Sequence, residues 1–565
     1  MSRAPRTPKR RDPALAAALR QAAECVAQRQ WSTAEGICRF VLERQPEDFD
    51  ALGLLAEACF AQSRSDEALR LYDRAVELRP RDALLRYNRA TVLASLRRFA
   101  DALAEYDCAL AAGQRDAATH INRGNMLQAL ARYDEALRSF ERALALAPAN
   151  AGAQYNRANV LRLLARHEEA VAGYDRALAL DERLVEALLN RGIALGALGR
   201  HEEAVASHDR ALALDPQCAD AHFNRGNALR ALARDEAALA SYDRALALRP
   251  AHPDGHWNRA WALLALGDFE RGFAEHEWRW QSTEALLPPQ RSAAPRWLGD
   301  SDPAGRTVLL VSEQGIGDTL QFLRYVPLLA QQGAIVLLDL PRSLARLCEP
   351  YRRWARIIAE DEPILPHDLQ CSMASLPLAF RTTLQTIPPA PYLTADPSLT
   401  VAWKTKLGRG SRGPRVGLVW AGNPRQKSEP RRGVGLELCR PLFEVPGVEW
   451  FSLQVGERAA DLVQLPPGSI TDLSGALGDF ADTAAVIANL DLVISSDTAA
   501  AHLAGALGRP VWVLLMFAPD WRWLRGRSDS PWYPGARLFR QPQPGDWAGV
   551  IEQVKTALGQ MVAER

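Results

Sequence analysis

The chain has 565 residues, enough for three or four domains of ordinary size, and 48% of them are hydrophobic, which excludes wholesale disorder. Its 68 Lys and Arg balance its 67 Asp and Glu, so that no strong basic field exists to hold nucleic acid or an anionic membrane. No apolar run approaches the ~20 residues of a membrane-spanning helix, and we predict neither a nucleic-acid partner nor a membrane span.

The first residues and the cysteines indicate a compartment. Residues 1–11 are basic but lack the apolar core of a secretory signal, and we interpret them as a solvated tail. The eight cysteines are scattered, without a CxxC pair or a neighbouring cluster of His and Cys. This pattern favours reduced thiols over a disulfide framework or a structural zinc site. The expected location is therefore the cytoplasm.

The composition changes sharply in the middle of the chain. Trp31 is the only one of the 15 tryptophans before Trp257, and after about residue 300 short apolar runs that end in turn residues replace the helical periodicity. Residues 285–304 contain Pro-Pro, Ser and Gly, which is typical of a linker. We therefore expect a helical region over 12–284 and an α/β region after the linker.

The helical region repeats itself. An asparagine recurs every 34 residues, a small residue follows it, and a ring position, which His208 occupies in one repeat, comes four residues later. With the prolines that end several repeats, this pattern resembles the tetratricopeptide repeat. The resemblance covers about eight repeats over 12–284 and implies an α-solenoid whose first helices line a groove. We expect His208 to belong to the core. The recurring asparagines are Asn88, Asn122, Asn156, Asn190, Asn224 and Asn258.

These asparagines have two interpretations. Asparagine costs about 0.5 kcal/mol relative to alanine inside a helix, so that a register of them needs a compensating interaction. They either form an amide ladder that binds the backbone of an acceptor peptide in the groove, or they bond a neighbouring helix, as asparagine often does in such repeats. The sequence leaves both interpretations open.

The α/β region opens with a buried strand that meets a glycine turn. Val308–Val311 is followed by Gly315 and Gly317, and then by a helix that we expect to begin near Asp318. Open α/β sheets bind their ligands at this end of the strands. The turn is neither GxGxxG nor a P-loop, which argues against nicotinamide binding and ATP hydrolysis.

Further strand–turn–helix units follow. The segment VGLVWAGNP leads into a basic stretch, and the segment DLVISSDTAAAHLAGALGRPVWVLL places a helix start between two strands. Free backbone N–H groups at that helix start suit a diphosphate. Two α/β halves, over 305–400 and 414–565, predict a compact GT-B glycosyltransferase with two Rossmann-like half-domains and a cleft between them.

Two motifs support a closer identification. EQGIGDT and SSDTAAAHLAGALGRPVWVLL resemble motifs of glycosyltransferase family 9, the ADP-heptose:lipopolysaccharide heptosyltransferases. The whole chain looks like bacterial proteins in which tetratricopeptide repeats precede such a domain, and some of these modify flagellin. The resemblance implies a nucleotide-sugar donor, with the donor side in 414–565 and the acceptor side in 305–400.

The resemblance also implies roles for single residues. Asp318 matches the general base that deprotonates the acceptor hydroxyl, although Asp318 and Asp497 could instead be helix caps. Arg425, Arg431 or Arg432 could serve in place of Lys427, and Ala499 stands where the family has glycine. The residues implied on the donor side are Gly315, Gly317, Asn423, Lys427, Gln454, Asp497, Thr498, Ala499 and His502.

No D-x-D motif stands at a strand end of the α/β region, and we predict neither a metal nor another cofactor. A helix N-terminus with Lys and Arg can stabilise a leaving diphosphate without a metal. The Trp- and Arg-rich run 519–541 either stacks on sugars and holds anions or forms a packing layer. Because the catalytic half is short for this fold, we expect the repeats to supply acceptor contacts.

The predicted function is transfer of a sugar from a nucleotide sugar to a protein that the repeats recruit, flagellin-like or another surface protein. One alternative is a heptosyltransferase-like enzyme that acts on lipopolysaccharide or another glycan. The other is a non-catalytic scaffold whose α/β half only binds a nucleotide sugar or a partner.

Overall fold

The computed structural model describes residues 12–285, 287, 291–408, 413–424 and 432–564. By its packing, the chain divides into two compact units, Met1–Pro216 and Gln217–Arg565. None of the described helices combines the length and the apolar character needed to cross a membrane.

The first unit is helical, and its helices follow one another in pairs. Within residues 12–216, each second helix contacts the first helix of its own pair and that of the next pair, and consecutive first helices also contact each other. Asp82 and Asp116 illustrate how the first helices begin, since each side chain accepts backbone N–H groups of the first turn. The helices are α1 Pro13–Ala27, α2 Trp31–Arg44, α3 Phe49–Ala61, α4 Ser65–Leu78, α5 Ala83–Ser95, α6 Phe99–Ala111, α7 Ala117–Ala129, α8 Tyr133–Leu146, α9 Ala151–Leu163, α10 His167–Leu180, α11 Val185–Ala197 and α12 His201–Leu214.

The two helices of a pair meet through a ring and a small residue. A Cβ atom at Gly124 would lie 2.7 Å from the ring of Phe140, and one at Gly192 would lie 2.4 Å from the ring of His208. Glycine therefore makes room for the ring of the facing helix. His208 is buried, which confirms its predicted place in the core.

The second unit begins with two more helical pairs, so that the described residues 12–276 contain the eight pairs that the repeat pattern predicts. A short 3₁₀ helix, Glu277–Trp280, follows the last pair. The helices of this unit, in chain order, are α13 Ala219–Ala231, α14 Asp235–Leu248, α15 Pro253–Ala265, α16 Phe269–His276, α17 Ile316–Phe322, α18 Val326–Gln331, α19 Leu376–Ala379, α20 Pro397–Lys406, α21 Phe480–Ala488, α22 Ala499–Ala506 and α23 Trp547–Ala563.

Two parallel sheets complete the second unit. Among the described residues, the first sheet has the order β3-β2-β1-β4 and the second the order β10-β9-β8-β5-β6-β7. Counted within its own half, the second order is 3-2-1-4-5-6, that of a doubly wound Rossmann-like sheet. The strands are β1 Thr307–Val311, β2 Ile335–Leu340, β3 Ala355–Ala359, β4 Leu369–Ser372, β5 Arg415–Val419, β6 Glu449–Ser452, β7 Thr471–Asp472, β8 Leu492–Ser496, β9 Val511–Leu515 and β10 Ala536–Arg540.

The strand order locates the ligand edge of each sheet. Order reverses between β1 and β4 in the first sheet and between β5 and β8 in the second. Ligands of open α/β sheets bind outside the carboxyl ends of the strands at such switch points. The glycine turn after β1 and the DTAAAHL segment after β8 both lie there.

The last helical pair, α15 and α16, shares the core of the sheets. Phe269 and Phe273 belong to the same buried cluster as residues of both sheets, and the ring of Phe269 stacks on Trp532 with centroids 5.5 Å apart. The backbone N–H of Arg525 donates to the carbonyl of Ala265 at 3.1 Å. Helices α15 and α16 are therefore part of the fold that carries the candidate site.

Candidate functional site

Two helices that begin at the switch points, one in each half, pack against each other. Helix α17 follows the turn after β1, α22 follows the turn after β8, and the two helices pack together. A Cβ atom at Gly317 would lie 2.8 Å from Cδ2 of His502, so that glycine permits this close approach. The packing brings Asp318 of the first half near His502 of the second.

Asp318 has two contacts. Helix α17 begins at Ile316, two residues before the predicted start, and Asp318 Oδ2 accepts the N–H of Gly315 at 2.9 Å. Its Oδ1 accepts a hydrogen bond from Nη2 of Arg522. The side chain of Asp318 remains 24% exposed. Asp318 thus stabilises the helix start, as the capping interpretation predicts, and still presents a carboxylate to the site.

Arg522 is the central cation of the site, and the sequence identified it only as part of a Trp- and Arg-rich run. It lies in a turn after β9, where its Nε donates to Gln321 Oε1 at 2.7 Å and its Nη1 to Asp520 Oδ1 at 2.9 Å. Burial lowers the pKa of Arg522, but the charges of Asp318 and Asp520 outweigh burial and raise it above its usual value. The sequence signal that could have identified Arg522 is its place in a charged turn after a buried strand, at the end of the sheet where ligands bind.

Two carboxyl groups accompany Arg522, and their pKa values are shifted in opposite directions. Burial raises the pKa of Asp497, and the charge of Arg432 only partly opposes this. Burial also raises the pKa of Asp520, but the charge and hydrogen bonds of Arg522 outweigh burial and hold it below its usual range. A side-chain nitrogen of Arg432 also donates to the backbone carbonyl of Asp497. Asp520 is therefore the ionised partner of Arg522.

His502 is a neutral imidazole. Burial, and then the charge of Arg522, lower its pKa from 6.5 to about 3. Its Nδ1 shares a hydrogen bond of 2.9 Å with the hydroxyl of Tyr533, and its Nε2 lies 3.9 Å from Asp497 Oδ1. The ring stacks on Trp523. The neutral ring of His502 can therefore donate or accept a hydrogen bond, but it carries no positive charge.

Other predicted donor residues occupy the same edge of the second sheet. Gln454 is buried, and its Oε1 accepts the backbone N–H groups of Trp420 at 3.2 Å and Ala421 at 3.0 Å, which fixes the loop after β5. Asn423 is exposed in that loop, while Thr498 and Ala499 are half-buried at the start of α22. Lys427 lies outside the described residues, as do Arg425 and Arg431.

The asparagines of the first unit bond neighbouring helices. Nδ2 of Asn190 donates to the hydroxyl of Tyr155 at 3.1 Å and to Asn159 Oδ1 at 3.0 Å, both on the preceding first helix. Asn122 reaches Tyr87 in the same way, and Asn156 reaches Asn125. Asn88 bonds Tyr72. These contacts favour the second interpretation, in which the asparagines tie helices together.

The two asparagines of the second unit differ from those. Nδ2 of Asn224 donates to the carbonyl of Asp220 in its own helix at 2.8 Å. Asn258 is buried, and its Nδ2 donates to Glu284 Oε2 at 2.8 Å. Asp254 accepts the backbone N–H of Thr283 at 2.9 Å. The chain's own segment after α16 therefore lies against Asn258.

The switch point of the first sheet holds a buried ion pair. Arg279, from the 3₁₀ helix after the last repeat, donates through Nε to Glu313 Oε1 at 2.7 Å and through Nη2 to Ser375 at 2.7 Å. Burial lowers the pKa of Arg279, but Glu313 and Glu277 outweigh burial and raise it. The segment after the last repeat thus reaches residues that follow β1 and β4.

Comparison with protein families supports both halves. Two models described as tetratricopeptide repeat match, the first at residues 19–83, 60–117, 189–253 and 236–276, the second at 117–150. A model described as glycosyltransferase family 9 (heptosyltransferase) matches residues 454–518. The N-terminal half therefore carries tetratricopeptide repeats, and a segment of the C-terminal half is similar to glycosyltransferase family 9. The matched segment includes Gln454, Asp497 and His502 and ends before Arg522.

Among curated proteins, the chain is similar to Protein FlbA of Caulobacter vibrioides, with 28% identity over 320 residues, which is 50% of this chain and 52% of FlbA. The chain thus spans about half the length of this relative. Among solved structures it is similar to YrrB, described as a tetratricopeptide repeat protein with an unusual peptide-binding site, with 30% identity, a TM-score of 0.30, and coverage of 33% of this chain and 95% of YrrB. A repeat protein from Parabacteroides merdae has 16% identity, a TM-score of 0.35, and coverage of 45% and 100%.

Proposed function

We propose that this protein is a metal-independent GT-B glycosyltransferase that moves a sugar from a nucleotide sugar to a protein. One observation carries the proposal: the helices after β1 and β8 pack together, Asp318 contacts Arg522 and lies near His502, and His502 in turn faces Asp497. The second half of this arrangement lies largely within the segment that matches glycosyltransferase family 9.

On the donor side, the diphosphate is expected at the start of α22. The first backbone N–H groups of a helix have no carbonyl partner within it, no side chain caps the start of α22, and such a start favours an anion. Arg432 and Arg522 add positive charge beside it. Asn423 and Lys427 remain proposed phosphate contacts. Gln454 is the proposed contact for the nucleoside. Because it also holds the loop after β5, we propose that the loop and Gln454 contact the nucleoside together.

The chemistry needs one proton acceptor and one stabilised leaving group. The hydroxyl oxygen of the acceptor forms a bond to the anomeric carbon of the sugar, and the bond from that carbon to the diphosphate oxygen breaks. Asp318 takes the hydroxyl proton, and the nucleoside diphosphate leaves with the electron pair. A positioned base contributes about 10²–10⁴-fold in rate, and electrostatic stabilisation of the leaving charge contributes further.

The acceptor is proposed to be a protein, flagellin-like or another surface protein, held by the repeats. Tetratricopeptide repeats offer an extended binding surface, and the last helical pair, α15 and α16, shares a core with the sheets. A protein segment bound along the repeats is thereby connected to the fold that carries Asp318. Transfer to lipopolysaccharide or another glycan is the alternative outcome of the test.

A thermal-shift screen tests the donor. ADP-heptose and UDP-, GDP-, CDP- and dTDP-sugars are added to the full chain, and we expect one class to raise the melting temperature by mass action. Arg432→Gln is expected to reduce that shift, because its guanidinium lies at Asp497. Arg440→Gln removes an exposed arginine that contacts Gln464 and serves as the matched control. If no nucleotide sugar stabilises the wild type, the scaffold interpretation replaces the enzyme.

A further inference from the structure

The guanidinium of Arg522 lies among three carboxyl groups. It donates to Asp318 and Asp520, and Asp497 also contributes to raising its pKa. Its side chain is only 6% exposed, so these interactions are weakly screened. An incoming diphosphate must compete with these carboxyl groups for the same cation.

The three nitrogens of Arg522 are held to different degrees. Nε is fixed by Gln321, and Nη1 is fixed by Asp520, whose Oδ1 also accepts the backbone N–H of Arg522 at 3.0 Å. Nη2 contacts Asp318, which belongs to the other half and is partly exposed. The contact between Nη2 and Asp318 is therefore the one that a ligand can reach and replace.

The position of Arg522 also fits the diphosphate proposed at α22. Its charge acts on both Asp497 and His502, at the start and in the first turn of that helix. Trp523, the next residue, stacks on His502. A planar guanidinium that keeps two contacts and offers the remaining N–H groups is well suited to a phosphate oxygen.

We propose that Arg522 couples donor binding to the base: a phosphate oxygen of the nucleotide sugar replaces Asp318 at Nη2, and Asp318 is thereby released to act on the acceptor hydroxyl. This inference rests on the proposed function. A carboxylate that has lost a guanidinium partner accepts a proton more readily. The base is thus fully active only when the donor is bound, which limits the reaction to the complex that also contains the sugar.

The exchange predicts that a substitution of the base increases the affinity for diphosphate. Asp318 and the diphosphate compete for one nitrogen, so by linkage the removal of the Asp318 charge must strengthen diphosphate binding. A base that only meets the acceptor would change this affinity through its electric field alone, and to the same extent with or without Arg522. Arg522 carries the competition, so the effect of Asp318 must disappear when Arg522 is replaced.

Calorimetry on the full chain tests this with ADP, GDP, UDP, CDP and dTDP as probes. For the nucleoside diphosphate that binds the wild type, we expect Asp318→Asn to bind about ten-fold tighter and Arg522→Gln about ten-fold weaker, the size of one charge-assisted hydrogen bond. Asp318→Asn in the Arg522→Gln background is expected to give no further tightening. Asp529→Asn removes the same charge from an exposed pair with Arg527 in the same segment and is the control, with unchanged affinity.

Each other outcome decides against the exchange or against its premise. Unchanged or weaker binding by Asp318→Asn overturns it and leaves the glycosyltransferase proposal intact. Tightening that persists without Arg522 also overturns it, because a general field effect then explains the data. If circular dichroism shows that Arg522→Gln does not fold, Arg522→Lys is used instead. The exchange is then overturned if Asp318→Asn tightens diphosphate binding as much in the Arg522→Lys background as in the wild type. If the wild type binds none of the diphosphates, the proposed function itself falls.

Discussion

At the scale of single residues, Asp318 combines a structural contact with a proposed chemical one. Asparagine at this position can still accept the N–H of Gly315, so that the start of α17 is preserved. As a base, however, an amide is ineffective. We therefore expect Asp318→Asn to lower kcat by about 10²-fold or more, and to lower the unfolding midpoint while the variant stays folded, because Arg522 loses an ionised partner. Steady-state kinetics and denaturant unfolding check this, and near-wild-type turnover would leave Asp318 with its structural contact alone.

His502 gives the site a pH dependence of known sign. Its pKa is about 3 in the folded chain, against 6.5 as the ordinary value, so the unfolded chain binds a proton that the folded chain does not. Stability therefore falls as the pH drops below about 6.5, by about 1.4 kcal/mol at pH 5.5. In His502→Gln, we expect the loss between pH 7.5 and 5.5 to be smaller by about this amount.

Unfolding of the wild type and of His502→Gln at each pH can be followed by tryptophan fluorescence, since all tryptophans except Trp31 lie in the second unit. His276 is also buried with a lowered pKa and contributes its own slope in both proteins, so only the difference between them reports on His502. An equal loss of unfolding free energy in wild type and variant would mean that His502 is protonated in the folded chain.

The sequence could predict some of these residues and not others. Asp318, Asp497 and His502 were identified because each follows a strand in a recognisable local pattern. Arg522 was not singled out, because its importance depends on a contact with Asp318 across 204 positions of the chain. The charge of His502 could not be predicted either, because its neutral state follows from burial that no local pattern reveals.

At the scale of elements, arginines connect successive helical pairs. Arg123 of α7 donates to Asp107 of α6 at 2.6 Å and to Ser139 of α8 at 2.8 Å. Arg191 repeats the arrangement with Asp175 and Ser207. Each arginine thus joins the second helix of the preceding pair to that of its own. The repeat period predicted the helices, but not this link, because its partners lie in neighbouring elements.

This link predicts a difference between two arginines. Arg123→Met is expected to destabilise the protein by about 1–2 kcal/mol, since charge-assisted hydrogen bonds between helices are lost. Arg132→Met removes an exposed pair within one helix, with Glu135, and is expected to cost less than about 0.5 kcal/mol. Unfolding followed by circular dichroism at 222 nm compares them. Equal effects would show that the contacts between helices add nothing.

The asparagines permit a similar test of their two interpretations. Asn156 and Asn190 both bond the preceding first helix, and each hydrogen bond contributes about 0.5–1.5 kcal/mol. Because alanine is the better helix former, each substitution also stabilises its helix by about 0.5 kcal/mol, which offsets part of this loss. We expect the double alanine variant to unfold at lower denaturant, with no selective change in acceptor KM. Unchanged stability with a raised acceptor KM alone would instead support the peptide-binding ladder.

At the scale of the whole molecule, packing and composition divide the chain at different places. The change of composition lies near 285–304, but the compact units separate after Pro216. The reason is tertiary: Phe269 and Phe273 enter the core of the sheets, and Asp235 forms a buried ion pair with Arg525. Such contacts depend on the folded arrangement, so that a pattern of repeats cannot reveal them.

Two fragments test this division. Fragment 217–565 is expected to fold with a cooperative transition in tryptophan fluorescence. Fragment 291–565 loses Phe269 and Phe273, and it leaves Glu313 without Arg279. An unpaired buried charge costs about 3–5 kcal/mol, so we expect no cooperative transition in this fragment. A wild-type-like transition of 291–565 would show that the last repeats are dispensable for the fold of the sheets.

The central claim is transfer of a sugar, and a turnover assay tests it most directly. The full chain is incubated with the nucleotide sugar that stabilises it and with flagellin or another bacterial surface protein, and both nucleoside diphosphate release and the intact mass of the acceptor are followed. We predict one sugar mass added to the acceptor per diphosphate released, with both signals reduced about 10²-fold by Asp318→Asn. Tight donor binding without any diphosphate release or mass increase, for protein and glycan acceptors alike, would contradict the account.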